Sequence, residues 1–123
     1  MAKGTITGKT NNDGISSKIV WESSVDVDAN ESNVTATLYY KRLNNYTTYG
    51  TGNFTLTIGS DKKTESKYIT IKYGEWTEAI TFATKVSHAS DGAKTVEISA
   101  VGGIDGTTLS STDCGASVTL DTI

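Results

Sequence analysis

The 123-residue chain contains no proline, one cysteine and one histidine. The scarcity of cysteine and histidine excludes two classes of protein. A single thiol has no partner within the chain, which excludes a disulfide framework. Cys114 and His88 are too few to build a structural zinc site, because such a site needs four thiolate or imidazole ligands. No apolar run approaches the roughly 18 residues of a membrane-spanning helix, and the first residues lack the apolar core of a signal peptide.

Charge is scarce as well and is evenly spread along the chain. Eleven Lys and Arg residues stand against 14 Asp and Glu residues, which gives a net charge of −3. Nucleic-acid-binding proteins carry a basic patch, and phosphate-binding proteins carry glycine-rich fingerprints; the sequence has neither. We therefore expect no nucleic-acid partner, no membrane partner and no cofactor.

The pattern that is present is strict alternation of apolar and polar residues, which predicts half-buried β-strands. In Lys18–Asp28, for example, Ile19 and Trp21 share one face with Val25 and Val27, while Val20 points to the other. The further rows predicted to face inward are Val34, Ala36, Leu38 and Tyr40; Phe54, Leu56 and Ile58; Ile69, Ile71 and Tyr73; Trp76, Ile80, Phe82 and Val86; Val96, Ile98 and Ala100; and Ala116, Val118 and Leu120.

About eight such strands, separated by turn residues every ~8–12 positions and without a helical stripe, predict an all-β protein with an antiparallel β-sandwich. We expect a single domain over residues 1–123, with the first ten residues loosely ordered. Trp21 and Trp76 are both predicted to lie in the core. Cys114 is predicted to be a small, half-buried strand residue.

Catalysis finds little support in the sequence. His88 lies in a predicted turn with Ser87, Ser90 and Asp91, but a catalytic triad needs its members to converge from separate elements. The interpretation of His88 as a turn residue that bonds to nearby backbone is better supported than that of a catalytic base. We therefore expect no enzyme, and we assign His88, Asp91 and Gly92 a structural role in the turn.

Acidic residues suggest two further sites, and both have simpler readings. Asp26 and Asp28 share a strand face, and Glu75 and Glu78 flank Trp76, as a glycosidase pair would require. Asp26–Asn30 also matches the opening of a calcium loop, although the expected glycine and terminal glutamate are missing. Solvated strand positions and turn formation account for both patterns, so we expect no metal.

Tyrosines are the best candidates for binding, because aromatic rings on a β-sandwich can stack on sugars. Tyr39 and Tyr68 are predicted to point outward from strands. Tyr46 and Tyr49 are predicted to lie in a polar loop over Asn44–Gly52, and loops often carry function. That loop and the turn at Gly59–Lys63 are the predicted contact regions.

Two stretches resemble a known family. Ile19–Arg42 contains Trp-Glu-Ser-Ser-Val followed by Ser-Asn-Val-Thr-Ala-Thr-Leu-Tyr, and Thr84–Ala100 contains His-Ala-Ser-Asp-Gly-Ala-Lys-Thr-Val-Glu-Ile-Ser-Ala. In this order they resemble the immunoglobulin-like domains of minor tail and baseplate proteins in siphophages and prophages of Gram-positive bacteria. The resemblance implies an immunoglobulin-like sandwich of about seven to nine strands in which Trp21 is the core tryptophan.

The resemblance also implies a function without catalysis, as a virion structural or host-adhesion module. Its partners would be other virion proteins or a host-surface glycan or protein, and it would be made in the bacterial cytoplasm and located in the virion. The alternative is a carbohydrate-binding or adhesion domain of a bacterial surface or gut-associated protein. Because proline, a common blocker of strand edges, is absent, we also hypothesise a homo-oligomer formed through an exposed edge.

Overall fold

The structure, a computed structural model, describes residues 2–90, 92, 94–104, 109 and 112–121. These residues form eight β-strands, and none of them lies in a helix. The strands are β1 (Lys3–Thr10), β2 (Ile15–Asp26), β3 (Glu31–Arg42), β4 (Thr48–Ile58), β5 (Asp61–Ile71), β6 (Thr77–Ser87), β7 (Thr95–Ile104) and β8 (Thr112–Thr119). The predicted all-β class is therefore confirmed.

The strands form two antiparallel sheets of four strands, packed as a β-sandwich. Sheet A has the order β1-β2-β3-β6, and sheet B has the order β5-β4-β7-β8. The order β2-β3-β6 opposite β5-β4-β7-β8 corresponds to strands A-B-E and C′-C-F-G of immunoglobulin-type sandwiches. Chains unrelated in sequence share this arrangement, so it describes the fold and does not assign a family.

Strand β1 links the two sheets. Residues Lys3–Gly8 pair with β2 in sheet A, whereas Lys9 and Thr10 pair with Asp113 and Thr112 of β8 in sheet B. Gly8 is the last residue of the part that pairs with β2. A Cβ added at Gly8 would lie 2.6 Å from the Ser17 hydroxyl oxygen and from the Cys114 sulfur. The first ten residues thus include a strand that joins the sheets at one corner.

Most of the core comes from the inward rows that alternation predicts. Ile19, Leu38, Phe54, Leu56 and Ile98 are all fully buried. Val20, predicted to face outward, is exposed. Trp21 belongs to the core, and so does Cys114, which is more deeply buried than predicted.

The prediction that Trp76 lies in the core is wrong, because a β-bulge interrupts the alternation. Leu38 pairs with Ile80 but Tyr39 pairs with Glu78, which leaves Ala79 as an extra residue in β6. Ala79 and Ile80 are both buried, so the residues before the bulge have the opposite parity from those after it. Trp76 therefore lies on the outer side of sheet A with 37% of its surface exposed.

Three other residues predicted to face inward are exposed. Val27 lies in a turn over residues 27–30 because β2 ends at Asp26. Tyr73 follows the end of β5. Ala116 points inward from β8, but the edge of that strand is open.

The opposite edges of the sandwich, β5 and β6, are joined by side chains instead of a backbone ladder. Polar groups of each strand bond across the gap, and the pairs are Lys63 Nζ to Thr81 O (3.2 Å), Thr84 Oγ1 to Asp61 Oδ2 (2.7 Å), Thr77 Oγ1 to Thr70 O (3.1 Å) and Lys67 Nζ with Glu78 Oε2 (3.9 Å). We call this set the side-chain seam. It covers the two strand edges that would otherwise be open on this side.

Alkaline pH should destabilise the fold through Tyr40. Burial raises the pKa of Tyr40 to about 12, although the hydrogen bond between its hydroxyl group and that of Thr112 (2.6 Å) acts in the opposite direction. An unfolded tyrosine ionises near pH 10, so the contribution of buried Tyr40 to the free energy of unfolding is complete below pH 10. That contribution is lost as the pH rises toward 12, and the free energy of unfolding falls by about 1 kcal/mol per pH unit.

Urea unfolding of the wild type and Tyr40→Phe between pH 8 and 11 tests this expectation. The variant should be less stable at pH 8, because Thr112 loses its partner, but its stability should fall less steeply above pH 10. Parallel slopes for the two proteins would contradict the assignment.

Candidate functional site

The outer face of sheet A carries a cluster of two aromatic rings and two ammonium groups. Lys18 Nζ lies 4.1 Å from the centroid of the Trp76 ring and 5.6 Å from that of Tyr39, and Lys41 Nζ lies 4.7 Å from the Trp76 centroid. We call Lys18, Tyr39, Lys41 and Trp76 the aromatic–lysine patch. Such cation–π contacts contribute about 0.5–1 kcal/mol each at exposed positions and fix the rings relative to the lysines.

Strand register brings the patch together from distant parts of the sequence. Lys18 of β2 lies directly opposite Tyr39 of β3, and Lys41 is two residues further along the same outward row. Trp76 joins them only because the bulge at Ala79 turns the residues before β6 outward. Three residues of the patch therefore lie on paired strands and Trp76 directly precedes β6, and this favours a preorganised binding surface.

A shallow depression of about 530 Å³ adjoins the patch on the same face. Tyr39 and Val20 line the side near the patch, while Lys3, Glu22 and the threonines Thr35 and Thr37 line the rest. The combined surface offers aromatic and aliphatic area, hydroxyl groups and ammonium donors. These are the groups that hold a polar ligand with an apolar side and negative charge.

Two of the predicted tyrosines meet on the outer face of sheet B. Tyr49 lies opposite Thr70, and Tyr68 lies opposite Thr51, so the two tyrosines are diagonal neighbours on the same face. Both are largely exposed. Tyr49 was predicted in a loop, but β4 begins at Thr48 and places it on a strand; the loop itself covers only residues 43–47. We call Tyr49 and Tyr68 the tyrosine pair.

Tyr46, the fourth predicted tyrosine, remains in a loop and covers a buried arginine. Its ring centroid lies 5.5 Å from Cζ of Arg42. The guanidinium of Arg42 donates to Thr48 Oγ1 (3.3 Å) and to Asn44 Oδ1 (2.7 Å), and its Nε is buried without a partner. Contact with Arg42 gives Tyr46 a structural role that was not predicted from the sequence.

His88 forms a buried bridge between Ser32 of β3 and the backbone of Gly92. Its Nδ1 donates to the carbonyl of Gly92 (2.7 Å), which leaves Nε2 to accept the hydroxyl hydrogen of Ser32 (2.7 Å). Ser32 is fully buried, and the group that orients the imidazole is a backbone carbonyl instead of a carboxylate. This serine–histidine pair therefore connects β3 to the segment that follows β6. Asp91 lies outside the described residues.

The acidic residues occupy the positions that their simpler readings predict. Asp26 Oδ1 accepts a hydrogen bond from the backbone of Ala29 (3.3 Å) and closes the turn after β2. Glu75 is exposed, and Glu78 belongs to the side-chain seam. Among the described residues, no group of three or more His, Cys, Asp and Glu side chains could hold a metal ion.

Comparisons with known proteins gave no match to a family model, a curated protein or a solved structure. Within the described part of the chain, no helix is long and apolar enough to cross a membrane. The candidate site therefore has to be interpreted from its own geometry.

Proposed function

We propose that the protein is a non-enzymatic adhesion module of a phage virion, which binds an anionic polysaccharide of the host cell surface through the aromatic–lysine patch. The observation that carries the proposal is the position of Trp76, held on an outer sheet face by contact with Lys18 and Lys41. The phage context comes from the sequence resemblance in Ile19–Arg42 and Thr84–Ala100. The ligand class comes from the chemistry of the patch.

Charge supports an anionic ligand at this place. The chain carries a net charge of −3, so it would repel a polyanion on average. Lys18 and Lys41 concentrate positive charge beside two rings. At the far side of the depression Lys3 lies opposite Glu22, and this pair adds no net charge. Aromatic rings beside ammonium groups can contact both the apolar side of a sugar and its acidic substituent.

The tyrosine pair supports a second candidate function, binding of a neutral carbohydrate. Tyr49 and Tyr68 present two exposed rings on a face whose neighbouring outward positions are the threonines Thr51 and Thr70. Rings flanked by hydroxyl groups suit a sugar without charge. This surface lies on the other sheet, so substitutions can separate the two functions.

Co-sedimentation with isolated Gram-positive cell walls tests the proposal. The wild type should bind, and Trp76→Ala should raise the apparent Kd at least about tenfold, which corresponds to ~1.4 kcal/mol at a central binding residue. Lys18→Gln with Lys41→Gln should weaken binding similarly and should reduce its dependence on salt, because attraction between exposed charges is screened by ions.

The matched control is Tyr68→Ala, which removes an exposed ring from the other sheet. It should leave binding unchanged, and all variants should keep the thermal midpoint of the wild type within a few degrees. Loss of binding in Tyr68→Ala but not in Trp76→Ala would replace the proposal with the second candidate. A wild type that does not bind cell walls at low salt would refute the adhesion function.

A further inference from the structure

The outer edge of β8 is open beyond the corner that it shares with β1. Strand β8 pairs with β7 from Asp113 to Thr119, but with β1 only at Thr112 and Asp113. After this corner the two strands diverge into different sheets. Ala116, which points inward, is consequently exposed, although its partner Ile98 on β7 is fully buried.

The alternation of hydrogen-bonded and non-hydrogen-bonded pairs along β7 and β8 identifies which backbone groups face the open edge. The amide of Leu120 donates to the carbonyl of Lys94 (3.0 Å), so this pair is a hydrogen-bonded one across β7 and β8. Hydrogen-bonded pairs alternate along an antiparallel ladder, and Val118, Ala116 and Cys114 therefore also direct their backbone groups to β7. The N–H and C=O groups of Gly115, Ser117 and Thr119 point the other way, into the open edge.

The chemistry of this edge differs from that of β5 and β6, two of the other three edge strands. Strands β5 and β6 carry lysines and carboxylates that build the side-chain seam. Cys114–Thr119, in contrast, reads Cys-Gly-Ala-Ser-Val-Thr and has no charge, no proline and no large side chain. Native proteins usually protect a strand edge with charge, proline or a covering element, and within the part of the chain that the structure describes this edge has none of these.

We propose that the β8 edge is a self-association surface on which β8 of a second copy of this chain adds as an antiparallel strand. An identical edge is a suitable partner, because the segment has no charges that would repel each other across a two-fold axis. The two-fold axis of the dimer then passes beside Ser117, so Ser117 lies opposite Ser117 of the second copy. Gly115 of each copy lies opposite Thr119 of the other. Each of these pairs exchanges two backbone hydrogen bonds, about six in total.

The ends of β8 fit this register. The partner strand ends opposite Gly115, just before Asp113, where β1 already occupies the edge. The dimer merges the two B sheets into one continuous sheet and covers both copies of Ala116. Because both copies use the same edge, this two-fold contact closes at two copies instead of extending into a fibre.

Hydrogen exchange on the intact chain provides the sharpest test. Raising the protein concentration should slow amide exchange at Gly115, Ser117 and Thr119. Exchange at Ala116 and Val118, whose amides already donate to β7, should change much less. Sedimentation velocity over the same concentrations should show a monomer–dimer equilibrium without larger species.

Two substitutions check the register. Ser117→Lys places two ammonium groups opposite each other at the axis, while Glu97 opposite Ser117 on β7 keeps the monomer stable. Ser117→Pro removes an N–H that the monomer does not use. Each should shift the dimer midpoint at least tenfold to higher concentration, whereas Val101→Lys, on the same face but away from the edge, should not.

Three results would overturn the proposal. The first is a wild type that remains monomeric at every concentration with unchanged exchange at Gly115, Ser117 and Thr119. The second is a dimer that Ser117→Lys and Ser117→Pro leave intact, which would place the interface elsewhere. The third is protection of these amides only in the presence of a different protein, which would show that the edge serves a heterologous partner.

Discussion

Phe54→Ala should lower the free energy of unfolding by about 3–5 kcal/mol, the largest effect expected of any single truncation in this core. Phe54 is fully buried, and its ring lies 5.8 Å from that of Tyr40 between centroids. The ring lies against the backbone of Gly52 and Gly102, which have no side chains that could fill the space left by its removal. The cavity should therefore stay open, which puts the cost in the upper part of the range.

The same contact predicts coupling between Phe54 and Gly52. A Cβ at Gly52 would overlap the tip of the Phe54 ring and would lie 2.8 Å from the carbonyl of Gly103. Gly52→Ala should therefore be destabilising alone and less so in a Phe54→Leu background, because leucine lacks the overlapping ring atoms. Urea unfolding of the four proteins of this cycle measures the coupling, with the outward-facing Thr55→Ala as control. If Phe54→Ala lowered the free energy of unfolding by less than about 1 kcal/mol, the neighbouring residues would have moved to fill the cavity, contrary to this prediction.

Gly8→Ala should be the second severe substitution, with a loss of about 3 kcal/mol or more. Its Cβ would overlap that of Cys114 and would lie 2.6 Å from the Ser17 hydroxyl oxygen. Both neighbours are buried, so neither can move aside cheaply. Cys114→Gly removes the more serious overlap and should restore part of the stability lost in Gly8→Ala.

Thermal and urea unfolding of Gly8→Ala, Cys114→Gly and the double variant measure this compensation. Thr7→Ala, one residue away and facing outward, is the control and should have little effect. Additive losses in the double variant would mean that Cys114 is not the group that excludes a side chain at position 8.

Alternation predicted most of the core because each strand of a sandwich buries one face. Ile19, Leu38 and Leu56 lie where their parity places them. The pattern failed where a local backbone event changed the parity, as with the extra residue Ala79 in β6. The pattern gave no signal for β1 either, because pairing with two different strands is something that periodicity cannot detect.

The candidate site was less predictable than the core, since it depends on register between strands. Tyr39 was correctly placed on an outward face, but its neighbours Lys18 and Lys41 became recognisable only once β2 and β3 were aligned. Tyr49 and Tyr68 were proposed separately, and the β4–β5 register brings them together. The partner of His88 at Ser32, 56 residues away, had no signal in the sequence.

The corner formed by β1 has a consequence for cooperativity. Because β1 supplies an edge strand to sheet A and its last two residues to sheet B, neither sheet can separate without unpairing it. An intermediate with one intact sheet would expose the apolar face of that sheet and lose the shared strand as well. Unfolding should therefore be a single two-state transition, with fluorescence and circular dichroism changing together. The short ladder from Lys9 to Thr10 thus makes two sheets into one thermodynamic unit.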